Sequence, residues 1–217
     1  MRVRVSPLAG VFAAGALLVS AAGALSRGEG FGELQRSVGE VLTVALAATL
    51  HELGHVAAAW GWGIPIKALR LDLFGARMEL CGVIPYRAER SVVPGGPLVS
   101  MLGAALALSL GQRWEGAYLF SAVSLGLGLL NLLPVRGLDG GRMLSCLIAM
   151  LSGERAADVI LRVTTGLALG GLWLLSVYAL LRAGEALSLF VFTLCLLLRL
   201  EFSEILVDDF ACFVVAD

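Results

Sequence analysis

Long apolar stretches constrain the fold of this chain more than any other feature of its sequence. A helix that crosses a bilayer needs about 20 predominantly apolar residues. Hydrophobic residues make up 59% of the 217-residue chain and charged residues 15%, whereas a soluble domain is about half apolar and about a quarter charged. We therefore predict an all-α polytopic membrane protein with about six transmembrane helices, at roughly residues 7–25, 39–60, 94–111, 117–133, 156–182 and 186–203.

The helical pattern is interrupted after the fourth predicted span. The sequence NLLPVRGLDGGR, residues 131–142, contains one proline and three glycines, which interrupt helices. The apolar stretch 143–151 that follows is too short to cross a bilayer alone. We expect a span interrupted at depth or a span followed by a short re-entrant segment. Such backbone is tolerated within a membrane only where protein or a water-filled cavity surrounds it.

Residues 64–83, between the second and third predicted spans, differ in pattern from the apolar segments around them. Apolar and polar residues alternate in LRLDLF and again in ARMELCG after Gly75, which is typical of a strand. The Phe-Gly pair between the two runs is a candidate turn. We predict a small β-hairpin or sheet here, and the alternative is an ordinary cytoplasmic loop.

Lysine and arginine residues are unevenly distributed between alternate loops. With the N-terminus in the cytoplasm, twelve of the sixteen basic residues fall on the cytoplasmic side, as the positive-inside rule requires. Both termini are therefore predicted to be cytoplasmic. The first span also resembles a signal peptide, but we expect it to be uncleaved because the rest of the chain is itself multi-spanning. The net charge of −1 offers no basic field for nucleic acid.

Both histidines of the chain lie in the second predicted span, in the sequence HELGH at residues 51–55. Residues four apart share one face of a helix, so His51 and His55 can bind one zinc ion while Glu52 reaches a zinc-bound water. Zinc lowers the pKa of that water to about 7, and Glu52 can pass its proton to the leaving amine. The alternative is two buried imidazoles satisfied by neighbours, but ionisable groups inside a span indicate a functional site.

A third protein ligand is needed, because a catalytic zinc has three protein ligands and a water. Asp139 is the leading candidate because it lies in the glycine-rich interruption after the fourth span. It could instead be an ordinary helix cap. Cys146 is a weaker candidate ligand, and Glu40 lies about three turns before His51, too far along the same helix.

The two motifs together resemble the signature of the site-2 protease family of intramembrane zinc metalloproteases. That signature joins HExxH to a later NxxPxxxxDG, and both halves occur here in the family's order. The resemblance covers a catalytic core at about residues 38–150, and residues 151–217 would add two further transmembrane helices to a single membrane-embedded domain. The resemblance implies zinc ligation by His51, His55 and Asp139, catalysis by Glu52, and substrate binding by Asn131 and Pro134.

The sequence PGGPLVS, which starts the third predicted span, is similar to the small-residue start of the family's third core helix. Pro97 fits the first turn of that helix, and the glycines allow another backbone to approach closely. Many members of the family carry Asn where this chain has Ser100, so the sequence assigns no polar role to this serine.

The domain layout is similar to the stage IV sporulation protein FB group, in a short form without its C-terminal domain. No PDZ or CBS domain is predicted. Members of that group release a membrane-tethered sigma-factor precursor during sporulation, an instance of regulated intramembrane proteolysis. The resemblance implies a membrane-tethered protein substrate, a regulatory membrane protein as a further candidate partner, and a place in the bacterial cytoplasmic membrane.

Three classes of function are compatible with these residues. An intramembrane metalloprotease accounts for the ligands and for Glu52, whereas a non-catalytic zinc-binding membrane protein that holds a client would need the ligands alone. A transporter fits less well, because its sites are usually built from paired broken helices in repeated halves and one interruption is visible here. The site is expected toward the cytoplasmic side, because His55 is near the inside end of its span.

Overall fold

The computed structural model describes most of the chain between residues 31 and 183, together with a short N-terminal strand. The described residues are 2–5, 31–72, 75–80, 86–111, 115–183 and 193. They form two compact units, which divide between Leu132 and Leu133. The first predicted span, and the last apart from residue 193, lie outside the described residues.

Four helices form most of the first unit. The longest, α1, runs from Phe31 to Gly61 and carries the HELGH sequence in its last third. A turn at Trp62 and Gly63 follows, where Gly63 has φ of +66°, the left-handed conformation that ends many helices. The remaining helices are the short α2 at Tyr86–Val92, α3 at Gly95–Leu110 and α4 at Glu115–Asn131.

Three strands form a sheet in the first unit, in the order β1-β2-β3. They are β1 at Arg2–Val5, β2 at Ile66–Asp72 and β3 at Gly75–Leu80. β2 and β3 pair antiparallel, with Asp72 opposite Gly75, while β1 pairs parallel to β2. The predicted hairpin corresponds in position to β2 and β3, and the parallel partner β1 was not predicted from the sequence.

Small residues allow the helices of the first unit to approach closely. α1 packs against α3 and α4, which also pack against each other. A Cβ atom on Gly54 would lie 2.3 Å from the carbonyl oxygen of Gly95, and one on Gly95 would lie 2.5 Å from that of Gly54. The backbones of α1 and α3 are therefore in contact, which is the role that small residues have between membrane helices.

The second unit contains two helices and the segment that precedes them. α5 runs from Asp139 to Ser152 and packs against α6 at Glu154–Ala183. Val135 and Leu169 form the buried core of this unit. Because α4 ends at Asn131 and α5 begins at Asp139, the interruption falls where the proline and glycines predict it.

Three helical stretches in the described part of the chain are long and apolar enough to cross a membrane. They are Val38–Gly61, Ala88–Leu110 and Glu154–Arg182, and Gly116–Asn131 is a shorter apolar helix. Large apolar side chains are exposed on them, with Leu106 at 67% and Leu167 at 72%. Surfaces of this kind are covered by lipid or by a partner rather than by water. The prediction of a mostly helical membrane protein is confirmed in this form, and the number of six spans stays a prediction.

Candidate metal centre

α1 brings His51, Glu52 and His55 together, as the HExxH spacing predicts. The two imidazoles are buried, at 3% and 5% exposure, and Glu52 is half-buried. The ring centroids of His51 and His55 are 5.1 Å apart, and one potential ligand atom from each of the three residues lies within 4.8 Å of the others. The group therefore has the residue types and the spacing of a metal centre.

The Nδ1 atoms of both histidines contact groups of α3 and of the end of α2. Nδ1 of His51 lies 2.9 Å from Oγ of Ser100. Nδ1 of His55 lies 3.2 Å from the carbonyl oxygen of Val92 and 3.3 Å from the amide nitrogen of Gly96. A carbonyl oxygen only accepts and an amide N–H only donates, so these two contacts of His55 require opposite tautomers.

Metal ligation selects between these two tautomers. A histidine that binds a metal through Nε2 carries its proton on Nδ1 and donates it to a carboxylate, a backbone carbonyl or water. The contact with the carbonyl of Val92 is of this kind. It leaves Nε2 of His55 unprotonated, as a metal ligand must be.

The Nε2 atoms of the two histidines converge on the space beside Gly96. A Cβ atom on this glycine would lie 2.3 Å from Nε2 of His55 and 2.7 Å from Nε2 of His51. Both Nε2 atoms therefore lie against Gly96, and the absence of a side chain there leaves them room. Two imidazole nitrogens and a carboxylate form a donor set suited to zinc, so the residues present fit the metal that the motif predicts.

Asp139 lies in the second unit, as the first residue of α5, and is 7% exposed. The N-cap position of that helix is occupied by Leu138. Gly141 lets the preceding segment come close, because a Cβ atom there would lie 2.1 Å from the carbonyl oxygen of Val135. Asp139 as third ligand stays a prediction, as does Cys146, which is buried on the same helix.

Asn131 and Pro134, the two residues predicted to bind substrate, border the end of α4. Asn131 is the last residue of that helix, and its side-chain amide donates to the carbonyl oxygen of Leu127 at 3.0 Å. Pro134 is half-buried in the segment that follows. Their predicted contact with substrate stays a prediction.

The sequence did not identify the groups at the end of α2 and in α3 that contact the histidines. Gly96 could have been singled out within PGGPLVS, where paired glycines indicate a close approach. Ser100 gave no signal of its own, and Val92 contributes a backbone carbonyl, which no side-chain pattern can identify.

A family model and a solved structure both match this chain. The model of peptidase family M50 matches residues 89–171. The site-2 protease from Methanocaldococcus jannaschii has a similar fold, with a TM-score of 0.62 over 89% of this chain and 86% of that chain, at 23% sequence identity. At this identity the likeness concerns the fold.

Three curated relatives share part of their length with this chain. The protein sll0528 of Synechocystis, named as a zinc metalloprotease, is 31% identical over 144 residues, which are 61% of this chain and 37% of the relative. Zinc metalloprotease MJ0392 of Methanocaldococcus jannaschii is 30% identical over 50% of this chain and 34% of its own length. Stage IV sporulation protein FB of Bacillus subtilis is 32% identical over 50% and 40%.

The matched part of the chain spans about a third to two fifths of the length of these relatives. The family model, the curated relatives and the solved structure all indicate a resemblance to the same family. The resemblance to the site-2 protease family is confirmed.

Proposed function

We propose that this relative of the M50 zinc metalloproteases is itself an intramembrane zinc metalloendopeptidase, which hydrolyses a peptide bond of a membrane-tethered protein within or near the bilayer. One observation carries the proposal. The Nε2 atoms of His51 and His55 converge on the space beside Gly96, on the buried side of an apolar helix that also carries Glu52. A buried site of this composition in a membrane helix is expensive to maintain and indicates function.

Zinc would be held by Nε2 of His51, Nε2 of His55 and the carboxylate of Asp139. The first two ligands rest on the geometry of α1 and α3, and the third rests on the sequence motif and on the need for three protein ligands. Zinc, when bound, supplies a Lewis acid that lowers the pKa of a water to about 7.

Glu52 is proposed as the general base and general acid of the hydrolysis. Its carboxylate accepts a proton from the attacking water as a C–O bond forms at the scissile carbonyl. The carboxylate then returns the proton to the amide nitrogen as the C–N bond breaks, which releases an amine. Its half-buried place beside two buried histidines supports this role, because one of its carboxylate oxygens lies within 4.8 Å of a ring nitrogen of each histidine.

The substrate is proposed to be extended when it is cut, because the peptide bonds of a helix are sheltered by the helix itself. β3 lies at the edge of the described sheet and follows the helix that carries HELGH. An extended segment can add to such an edge through backbone hydrogen bonds. The position of β3 at the edge of the sheet therefore supports the proposal that an unwound substrate segment pairs with this strand.

The proposed topology has six spans, with both termini and the site toward the cytoplasm of a bacterial cell. The parallel pairing of residues 2–5 with residues 68–71 supports it, because hydrogen-bonded strands outside the spans lie on one side of the membrane. Basic residues in both segments support the cytoplasmic assignment for that side.

A narrower role is the release of a sigma-factor precursor in sporulation, under a regulatory membrane protein. Its support is the relationship to stage IV sporulation protein FB. Co-expression with a membrane-tethered precursor checks it: the wild type is expected to release the soluble factor and Glu52→Gln is not. A precursor that stays intact beside an enzyme active on other substrates would contradict this role.

The proposed protease is tested by measuring zinc and cleavage together. Wild type, Glu52→Gln and Asp139→Ala are purified in detergent, metal is measured by mass spectrometry, and single-span model proteins are used as substrates. The wild type is expected to bind about one zinc and to cleave, because three ligands complete the site. Glu52→Gln should keep zinc and lose cleavage, and Asp139→Ala should lose zinc.

The outcomes separate the proposed protease from a zinc protein that only holds a client. Zinc binding without cleavage by the wild type, across substrates that another site-2 protease cuts, would favour the holding protein. A folded, zinc-supplied wild type without metal would overturn both. Full retention of zinc by Asp139→Ala would contradict the assignment of Asp139 as third ligand and leave the other assignments unchanged.

A further inference from the structure

We propose that Ser100 is a positioning residue of the metal centre, whose Oγ accepts a hydrogen bond from Nδ1–H of His51 and so fixes this ring with Nε2 toward the metal. The inference rests on the proposed zinc site. It concerns the residue where many members of the family carry Asn and where the sequence alone assigned no polar role.

The hydroxyl of Ser100 is engaged differently from those of Thr49 on α1 and Ser109 on α3. Serine and threonine within helices often bond the carbonyl three or four residues earlier, as Thr49 does with Ala45 and Ser109 with Leu106. Oγ of Ser100 instead lies 2.9 Å from Nδ1 of His51, on another helix, and Ser100 is 2% exposed. A buried contact of this kind between two helices fixes the orientation of the ring.

The direction of this hydrogen bond depends on the metal. A hydroxyl both donates and accepts, so Ser100 can pair with either tautomer of His51. Only the tautomer with the proton on Nδ1 leaves Nε2 available for a metal. In the zinc-bound protein Oγ of Ser100 must therefore be the acceptor, and the hydrogen bond stabilises the tautomer that binds metal.

The register of the two helices brings different groups to the two histidines. Gly96 and Ser100 lie four residues apart on one face of α3, and His51 and His55 are spaced in the same way on α1. Ser100 meets His51, while Val92 and Gly96 meet His55, so the helices run antiparallel at the site. The end of α2 thus supplies a carbonyl for His55, and α3 supplies a hydroxyl for His51.

The helix α4 limits the size of the side chain at position 100. A Cβ atom on Gly128 would lie 3.2 Å from Cβ of Ser100, so the backbone of α4 passes close behind this residue. A small side chain with an oxygen on its first carbon fits between α4 and His51. This packing accounts for serine as a suitable residue here.

Metal affinity tests the role of Ser100. Wild type, Ser100→Ala, Ser100→Thr and Ser121→Ala are purified in detergent, stripped of metal and titrated with zinc against a competing chelator. Loss of the outer partner of a ligating histidine typically weakens metal binding by about ten- to a hundredfold. We expect that loss for Ser100→Ala, whereas Ser100→Thr, which keeps the hydroxyl but adds a methyl group beside α4, is expected to bind zinc more tightly than Ser100→Ala.

Ser121→Ala is the matched control for a merely structural role. Ser121 is also buried, at 7% exposure, and its Oγ donates to the carbonyl of Ala104 on the neighbouring helix at 2.8 Å. Its removal should lower thermal stability and leave zinc affinity unchanged. Equal zinc affinities for Ser100→Ala and wild type, in folded protein, would overturn the positioning role.

Nitrogen NMR of the wild type keeps the inference testable if Ser100→Ala does not fold. The chain contains two histidines, so ¹⁵N-histidine labelling gives a simple spectrum. We expect a protonated, hydrogen-bonded Nδ1 on His51 in the zinc-loaded protein. An unprotonated Nδ1 on His51 beside bound zinc would refute the assignment, whereas a wild type that binds no zinc would refute the metal site on which it rests.

Discussion

At the scale of single residues, Gly96 occupies the position on which the two histidines converge. Its backbone is not among the positive-φ glycines of the described chain, so an L residue is compatible with its conformation. The requirement for glycine comes from space, because a side chain would lie 2.3 Å from Nε2 of His55.

Gly96→Ala is expected to abolish zinc binding while the protein still folds. The added methyl group would occupy the space beside both ligand atoms and turn the rings away from it. Gly103→Ala on the same helix is the control, because its Cβ would make an ordinary contact of 3.7 Å with Phe120. Zinc content and thermal unfolding of both variants are measured, and a zinc-replete Gly96→Ala would contradict the geometry proposed for the site.

At the scale of helices, the contact between Gly54 and Gly95 sets the distance between α1 and α3. His51 contacts Ser100 and His55 contacts Gly96 between the same two helices. A change in the distance between the helices therefore changes both histidines together.

Gly54→Ala is expected to destabilise the protein by about 1–3 kcal/mol, the usual cost of overpacking a tight contact, and to weaken zinc binding. The methyl group would meet the carbonyl of Gly95 and push the helices apart. Gly39→Ala on α1 is the control, since nothing lies within 4 Å of its Cβ position. Thermal unfolding and zinc titration in detergent compare the two, and equal behaviour would show that the helices tolerate separation.

The segment before α5 is held within the second unit by two contacts of Arg136. Its guanidinium pairs with Asp158, and its backbone N–H donates to Oγ1 of Thr165 at 2.9 Å. Both partners lie on α6, so this helix fixes the segment that leads to Asp139.

Thr165→Val is expected to destabilise the protein by about 1–3 kcal/mol, because it leaves a partly buried N–H without its acceptor. Thr164→Val is a close control, since Oγ1 of Thr164 donates to the carbonyl of Leu161 in its own helix. Amide hydrogen exchange at Arg136 should accelerate in the first variant and not in the second. An unchanged exchange rate at Arg136 in Thr165→Val would contradict a role for this hydrogen bond in holding the segment.

The sequence predicted the features that follow from helical periodicity and from backbone breakers. His51 and His55 share a face because they lie four residues apart, and the interruption before Asp139 follows from its proline and glycines. The contacts of Ser100 and Val92 depend on the register between α1 and α3, and β1 pairs with residues more than 60 positions away. Register and long-range pairing are set by tertiary packing, which no local pattern encodes.

At the scale of the whole molecule, tryptophans near the end of α1 mark a boundary of the membrane. Trp60 and Trp62 are 70% and 61% exposed, and tryptophan concentrates where lipid headgroups meet the hydrocarbon. A helix rises about 1.5 Å per residue, so His55 lies roughly one and a half turns from Trp60, inward along the helix axis.

Depth-dependent fluorescence quenching in lipid vesicles is expected to place Trp60 and Trp62 at the headgroup level. The other two of the four tryptophans, Trp114 and Trp173, are replaced by phenylalanine, and nitroxide labels are introduced at shallow or deep positions of the lipid. Shallow labels should quench most strongly. Stronger quenching by deep labels would mean that Trp60 and Trp62 lie within the hydrocarbon and not at the headgroup level.

The hydrogen-bond partners of the two imidazoles affect the order in which this protein inserts into the membrane and acquires its metal. Ser100 and Val92 orient the rings through contacts that need no ion, so the helices alone set the positions of both nitrogen ligands. Placing these two nitrogen ligands then requires no folding step around the ion, in contrast to small domains that are unfolded until zinc binds. Insertion into the membrane and metallation are therefore expected to be separable in time.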